Sequence, residues 1–187
     1  GSVNLGLDEQ GGGEEPEVPG TGEETTIFLE TFGATDVASN TKIAAFTGWA
    51  NQNLIFSDET GRSDIRRNGP TASNNVWFPA VAATGGNIGT DATLKIAGIN
   101  TTGYSNLKLS FKMVANGSAN LNIVKVSFNG QSFEIPSKLV PNGSEAHLVE
   151  MNLTGATVNA NSELLFRTGA DNGVGFRLDD IELVGTK

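Results

Sequence analysis

The chain has 187 residues, a net charge of −9, an apolar fraction of only 37%, 24 glycines and no cysteine. These totals allow one domain with a sizeable core and exclude disulfides, thiolate catalysis and Cys-ligated zinc. Seven of the acids and no Lys or Arg stand in residues 1–26, so the remainder is close to neutral and carries no basic nucleic-acid footprint; nor does it hold a run of about 18 apolar residues that would cross a membrane as a helix.

In "GGGEEPEVPGTGEETT" (Gly11–Thr26), Val18 is the only large apolar residue. The stretch buries too little to offset ordering entropy, so residues 1–26 are expected to be a tether, or a terminus of no consequence, ahead of one domain at 27–187. The first strand is expected at Ile27–Thr31. In "TIFLETFG" (Thr26–Gly33), Glu30 shares parity with Phe28 and Phe32, while Ile27 and Leu29 take the other face. A carboxylate in a strand apolar on both faces must be paired, hydrogen-bonded or metal-bound. Further strands are expected at Thr47–Asn51, Asp64–Arg67, Asn75–Phe78 and Ala92–Ile96. "NLKLSFKM" (Asn106–Met113) alternates cleanly, with Leu107, Leu109, Phe111 and Met113 inward and Lys108, Ser110 and Lys112 outward. "VKVSFNGQSFEI" (Val124–Ile135) predicts a hairpin turning at Asn129-Gly130. Ala146–Leu153, Glu163–Thr168 and Gly175–Val184 complete the strands, with a hairpin turn expected at "DNGVG" (Asp171–Gly175). No stretch holds a 3.6 period over three turns, and Gly, Pro or Asn punctuates the chain roughly every 8–12 residues. The pattern predicts an all-β fold, a two-sheet antiparallel jelly-roll β-sandwich.

The closing strand, "GFRLDDIELVG" (Gly175–Gly185), changes parity. Phe176 and Leu178 are even, whereas Ile181 and Leu183 are odd. If both pairs face the core, the pleat slips at Asp179–Asp180, as a β-bulge would make it do. A re-aimed carboxylate that met Glu30 would repel it unless a cation sat between them. Calcium suits such a place, being hard and tolerant of irregular oxygen geometry. The plainer alternative makes Asp179 and Asp180 solvated acids beside Arg177 or Arg167.

An early "LETFG" paired with a terminal "FRLDDIEL" resembles the galactose-binding-domain-like jelly rolls, including carbohydrate-binding modules of family six. With "NVWFPA" and "INTTGYSNLKLSF", the chain is most similar to jelly-roll domains on surface lipoproteins of gut Bacteroidetes, over about Ile27–Gly185. That resemblance implies a structural calcium held by Glu30 and Asp179, with Asp180 beside them. It also implies an extracellular or cell-surface place, lipid-anchored to the outer membrane. The lipidated cysteine of such proteins is absent from this chain, so membrane contact is expected only through an N-terminal anchor that the sequence does not contain.

Sugar binding needs flat apolar platforms and planar polar groups. Three aromatic residues qualify, and each has a structural alternative. Trp77 points outward if Val76 and Phe78 face the core, or packs under the Ala80–Ala92 loop. Trp49 is either a platform or core packing. Tyr104, in "TTGYSN", is either a loop-tip contact or a corner residue. "DETGRSDIRRNG" (Asp58–Gly69) concentrates charge, and Arg66 there suits either an acidic glycan or an internal ion pair. The sole histidine, His147, opens a strand and fits a sheet rim; no pair of acids is set facing by the sequence, so catalysis is not expected. The reading is a non-catalytic, surface-displayed module that binds carbohydrate and carries a structural calcium. The alternatives are a structural or protein-interaction domain with protein partners on the cell surface, and a glycan-active enzyme.

Overall fold

The structure is a computed structural model, and it describes residues 22–34, 37, 40–67, 74–80, 91–143, 145–169 and 173–187. Most of the expected tether, residues 1–21, lies outside the described residues, as does most of the Ala80–Ala92 loop and part of the Asp171–Gly175 turn.

Fourteen strands are described. They are β1 (Glu24–Glu30), β2 (Thr41–Lys42), β3 (Ile55–Ser57), β4 (Asp64–Arg67), β5 (Asn74–Phe78), β6 (Thr93–Ile99), β7 (Ser105–Ala115), β8 (Ala119–Asn120), β9 (Val124–Phe128), β10 (Gln131–Phe133), β11 (Leu139–Val140), β12 (His147–Asn152), β13 (Ser162–Thr168) and β14 (Phe176–Thr186). Single 3-10 turns occupy Ile43–Ala45 and Leu121–Ile123. One sheet has the order β10-β9-β13-β6-β3; the larger one runs β12-β7-β14-β5-β4-β2, with β1 also on β14; β11 and β8 make a small ribbon. Every pairing is antiparallel. The fold is the antiparallel jelly-roll β-sandwich that the strand spacing predicts.

β1 starts at Glu24, earlier than the expected boundary at residue 27, because Glu24–Thr26 already pair with Val184–Thr186 of β14. Glu23 and Lys187 exchange backbone hydrogen bonds at 3.2 Å each, so the entry and exit of the described chain lie side by side. Thr47–Asn51 is not a strand; the backbone N–H groups of Ala50 and Asn51 turn to a side chain described below. β3 and the two-residue strands β2, β8 and β11 are too short for alternation to show.

The core lies between the two sheets. Leu109, Phe111 and Met113 of β7, Leu178, Ile181 and Leu183 of β14, and Leu164 and Phe166 of β13 are all buried. Phe111 meets Phe166 edge-on at 5.3 Å between centroids, joining the sheets. The tight hairpin forms as expected, with Asn129 and Gly130 at φ 50° and 81° between paired Phe128 and Gln131. Asn129 does more than turn the chain. Its Nδ2 donates to the Thr157 carbonyl (2.8 Å), and its Oδ1 accepts the Glu163 N–H (2.8 Å).

β14 is the central element of the larger sheet. β7 flanks one side of it; on the other side Phe176–Leu178 pair with β5, and Ile181–Thr186 pair with β1. The parity slip falls where the neighbour changes. Against β7, Asp179 pairs with Lys112 but Glu182 with Ser110, one residue too many on β14, and Asp180 takes φ 49°. That bulge keeps Leu178 and Ile181 both inward.

Asp58, after β3, pins the loop to β4. Its Oδ1 accepts from the Thr60 N–H (3.0 Å), the Thr60 hydroxyl (2.6 Å) and the Thr93 hydroxyl of β6 (2.7 Å), and its Oδ2 from the Ser63 N–H (2.8 Å). Burial pushes this carboxyl up, but the hydrogen bonds from Thr60, Thr93 and Ser63 outweigh it and hold Asp58 below the ordinary 3.8. A depressed carboxyl stabilises the fold above the unfolded-state pKa, and the stabilisation fades as pH falls through the folded-state value. Thermal unfolding of the parent is therefore expected to weaken more between pH 5 and pH 3 than that of Asp58→Asn; equal pH slopes would show that Asp58 does not couple to folding.

Candidate functional site

The "ETFG" motif meets "GWAN" (Gly48–Asn51) rather than the closing aspartates. Glu30 is fully buried. Its Oε2 accepts the N–H groups of Phe32 and Ala50 (both 2.8 Å), and its Oε1 accepts the Asn51 N–H (3.1 Å) and Nδ2 (2.9 Å). Phe32 reaches its bond by taking φ 62°, and Gly33 follows at φ 71° against the Gly48 carbonyl. Four N–H donors surround the place that the calcium reading would fill with a cation. Asp180 points away, to Lys112 Nζ at 2.9 Å, and Asp179 Oδ1 accepts the Asp180 N–H (2.8 Å). Glu30 stands next to them in the sheet, paired with Ile181, yet the three carboxylates are not arranged as ligands. Among the described residues, no three His, Cys, Asp or Glu side chains cluster in a way that could hold a metal. As they stand, these residues do not fit a calcium ion.

Trp49 belongs to the same corner. It stacks on Phe56 at 3.9 Å and 3°, meets Phe46 edge-on at 4.7 Å, and donates its indole N–H to the Phe46 carbonyl (3.0 Å). These contacts are those of its packing alternative: neighbours engage the ring and the N–H, while the residue stays partly exposed.

Trp77 and Arg66 come together on the outer face of the larger sheet. Val76 and Phe78 are buried, which turns half-buried Trp77 outward. Register sets one row across this face: Asp64, Trp77, Arg177 and Val114. The next row holds Arg66 beside Asn75, then Asp179 beside Lys112 and Leu148. The guanidinium carbons of Arg66 and Arg177 lie 4.8 and 5.3 Å from the Trp77 ring centroid. Arg66 pairs with Asp64 at 2.6 Å through Nε and 3.3 Å through Nη2. A Cβ on Gly175 would run into the Trp77 ring, so glycine there lets the indole lie close to the backbone.

A polar groove crosses the lower part of the same face. One section, about 360 Å³, is lined by Lys108, Ser110, Glu150, Asn152 and Glu182. A larger section, about 570 Å³, shares Glu24, Lys108 and Asn152 with it and continues to Asn106, Thr154 and Tyr104. Lys108 bonds Glu24 at 2.7 Å, and that hydrogen bond holds its ammonium pKa above the ordinary value. Tyr104 thus lines a groove, far from Trp77, with Lys187 Nζ 4.7 Å from its ring centroid. The sequence reading missed Glu150, Asn152 and Glu182 as groove residues; the signal was outward parity beside Lys108 and Ser110. His147 pairs with Met113 at the sheet rim, as expected. The exposed large apolar residues Leu29, Ile55, Leu139, Leu148 and Val158 sit on five different segments and form no single patch among them.

No family model matches the sequence, and no curated protein does. Solved structures do resemble the fold. The CBM22-1–GH10 modules of Clostridium thermocellum xylanase 10B, complexed with xylohexaose, match 87% of this chain at 13% identity and TM-score 0.52, and this chain covers 28% of theirs. The CBM22-1 xylan-binding domain of Paenibacillus barcinonensis Xyn10C matches 87% of this chain and 96% of its own at 10% identity and TM-score 0.51. At such identities the likeness is one of architecture: the chain has the β-sandwich fold of these carbohydrate-binding modules.

Proposed function

We propose that the chain is a non-catalytic carbohydrate-binding module whose ligand lies along the groove on the outer face of the larger sheet. The observation that carries this reading is the lining of that groove. Asn106 and Asn152 offer planar amides, Ser110 and Thr154 hydroxyls, and Glu150 and Glu182 carboxylates, with the Tyr104 ring at one end. Saccharide hydroxyls are met by such convergent planar groups, and pyranose faces by an aromatic ring. The fold shared with xylan-binding modules supports the reading by analogy.

Glu150 and Glu182 flank Ser110 on either side, which places their Cα atoms roughly 10 Å apart at ordinary strand spacing. Two carboxylates in a groove are also what a glycosidase needs. Here Glu150 is exposed and Glu182 accepts the Thr26 hydroxyl (2.7 Å), so neither is shielded as a general acid must be. The proposal extends to place. The acidic, Gly- and Pro-rich composition of the residues ahead of β1 supports display on a tether, and the resemblance to family-six modules, surface lipoproteins and an outer-membrane anchor belongs to this proposal.

Calorimetric titration with a panel of neutral oligosaccharides of four to six sugars tests it. At least one is expected to bind with micromolar to millimolar Kd, Asn152→Ala is expected to weaken it about five- to tenfold, and reducing-sugar release is expected to stay at background. No binding at millimolar ligand would overturn the reading, and hydrolysis lost in Glu150→Gln would replace it with an enzyme.

A further inference from the structure

Around Trp77 the outer face carries three cations, Arg66, Lys112 and Arg177, and three carboxylates, Asp64, Asp179 and Asp180. Arg66 is matched by Asp64. Lys112 is matched by Asp180, and Asp179 Oδ1 is on the Asp180 N–H. Arg177 has the Trp77 ring as its contact and, among the described residues, no carboxylate in ion-pair range. It is half-buried, and that burial, with Arg66 close by, holds its guanidinium below the usual range, which Asp64 offsets only in part. Beside Arg66, Asn75 is 2% exposed, and neither its Nδ2 nor its Oδ1 has a hydrogen-bond partner. A buried amide with both groups unused is costly, and a half-desolvated cation gains from a carboxylate closer than Asp64. Both sit on the sheet face that carries the groove.

We infer that Arg177, with Arg66 and the Trp77 ring, forms a subsite for the carboxylate of an acidic saccharide. Arg177 offers planar donors beside the indole, Arg66 adds positive charge from the strand on the ring's other side, and bidentate Arg–carboxylate geometry is the strong form of such a contact. The inference rests on the carbohydrate reading above and narrows it from saccharides in general to uronates.

The test is calorimetric titration of the full chain with tetragalacturonate, tetramannuronate and a glucuronate-substituted xylotetraose, each beside its carboxyl-reduced counterpart. At least one uronate is expected to bind about tenfold or more tightly than its reduced form. Arg177→Gln is expected to erase that preference, the uronate losing far more affinity than its reduced form, and Arg177→Lys to keep part of it. Equal binding of acid and reduced forms overturns the inference and leaves the carbohydrate reading standing, as does an equal loss for both forms in Arg177→Gln. No binding of either form overturns both. If Arg177→Gln does not fold, the parent decides: the uronate preference must shrink as salt rises from about 0.05 to 0.5 M, and a salt-independent preference overturns the inference.

Discussion

Glu30→Ala is expected to unfold at a markedly lower urea concentration than the parent, with a loss of about 3 kcal/mol or more. The reason is local. Removing the carboxylate strands the backbone N–H groups of Phe32, Ala50 and Asn51, which now donate to it, and leaves the Asn51 amide only its bond to the Leu29 carbonyl. An orphaned buried donor costs about 1–3 kcal/mol. Glu30→Gln keeps one carbonyl acceptor but turns an NH2 group toward two donors, so an intermediate loss is expected. The same experiment addresses the cation. With four N–H groups on the carboxylate, the unfolding midpoint is expected not to move on adding chelator. A midpoint that falls with chelator in the parent but not in Glu30→Gln would show that Glu30 holds a metal instead.

Gly33→Ala is expected to cost about 2–4 kcal/mol, measured by the same denaturation. Two penalties combine there. The backbone is at φ +71°, where a side chain is strained, and a Cβ would sit 2.5 Å from the Gly48 carbonyl oxygen. Gly61 separates them. It has nearly the same angle, φ +68°, and nothing within 4 Å of an added Cβ. Gly61→Ala is therefore expected to cost only about 1 kcal/mol. Equal costs for the two variants would mean that the close approach of Gly33 to Gly48 does not hold the corner together.

Much of the fold was legible because strands have a short period. Alternation in Leu107–Met113 marked a half-buried strand, and Asn129-Gly130 marked the hairpin between Val124–Phe128 and Gln131–Phe133, since both signals depend only on neighbours in sequence. The change of parity between Leu178 and Ile181 announced the bulge at Asp179–Asp180 for the same reason. What the bulge serves was not legible. It lies where β14 exchanges β5 for β1 as its neighbour, and the identity of a sheet neighbour is not a local property. "LETFG" showed that Glu30 would be buried and must be satisfied, but not by what. Three of its four donors lie about twenty residues on, in a segment whose pattern suggests a strand, because nothing in "GWAN" states that the N–H groups of Ala50 and Asn51 turn to a carboxylate.

The site divides along the same line. Sequence alone determined that the chain is an all-β sandwich, that the closing strand changes parity at Asp179–Asp180, and that an acid in the opening strand would need partners. These follow from side-chain period and from the cost of burying charge. Only the tertiary structure decided which groups meet. It assigned Trp49 to packing and Tyr104 to the end of a groove, and set Arg66 and Arg177 against one indole. Those outcomes depend on strand order and register across the sheet, and strands far apart in sequence become neighbours only when the sheet closes.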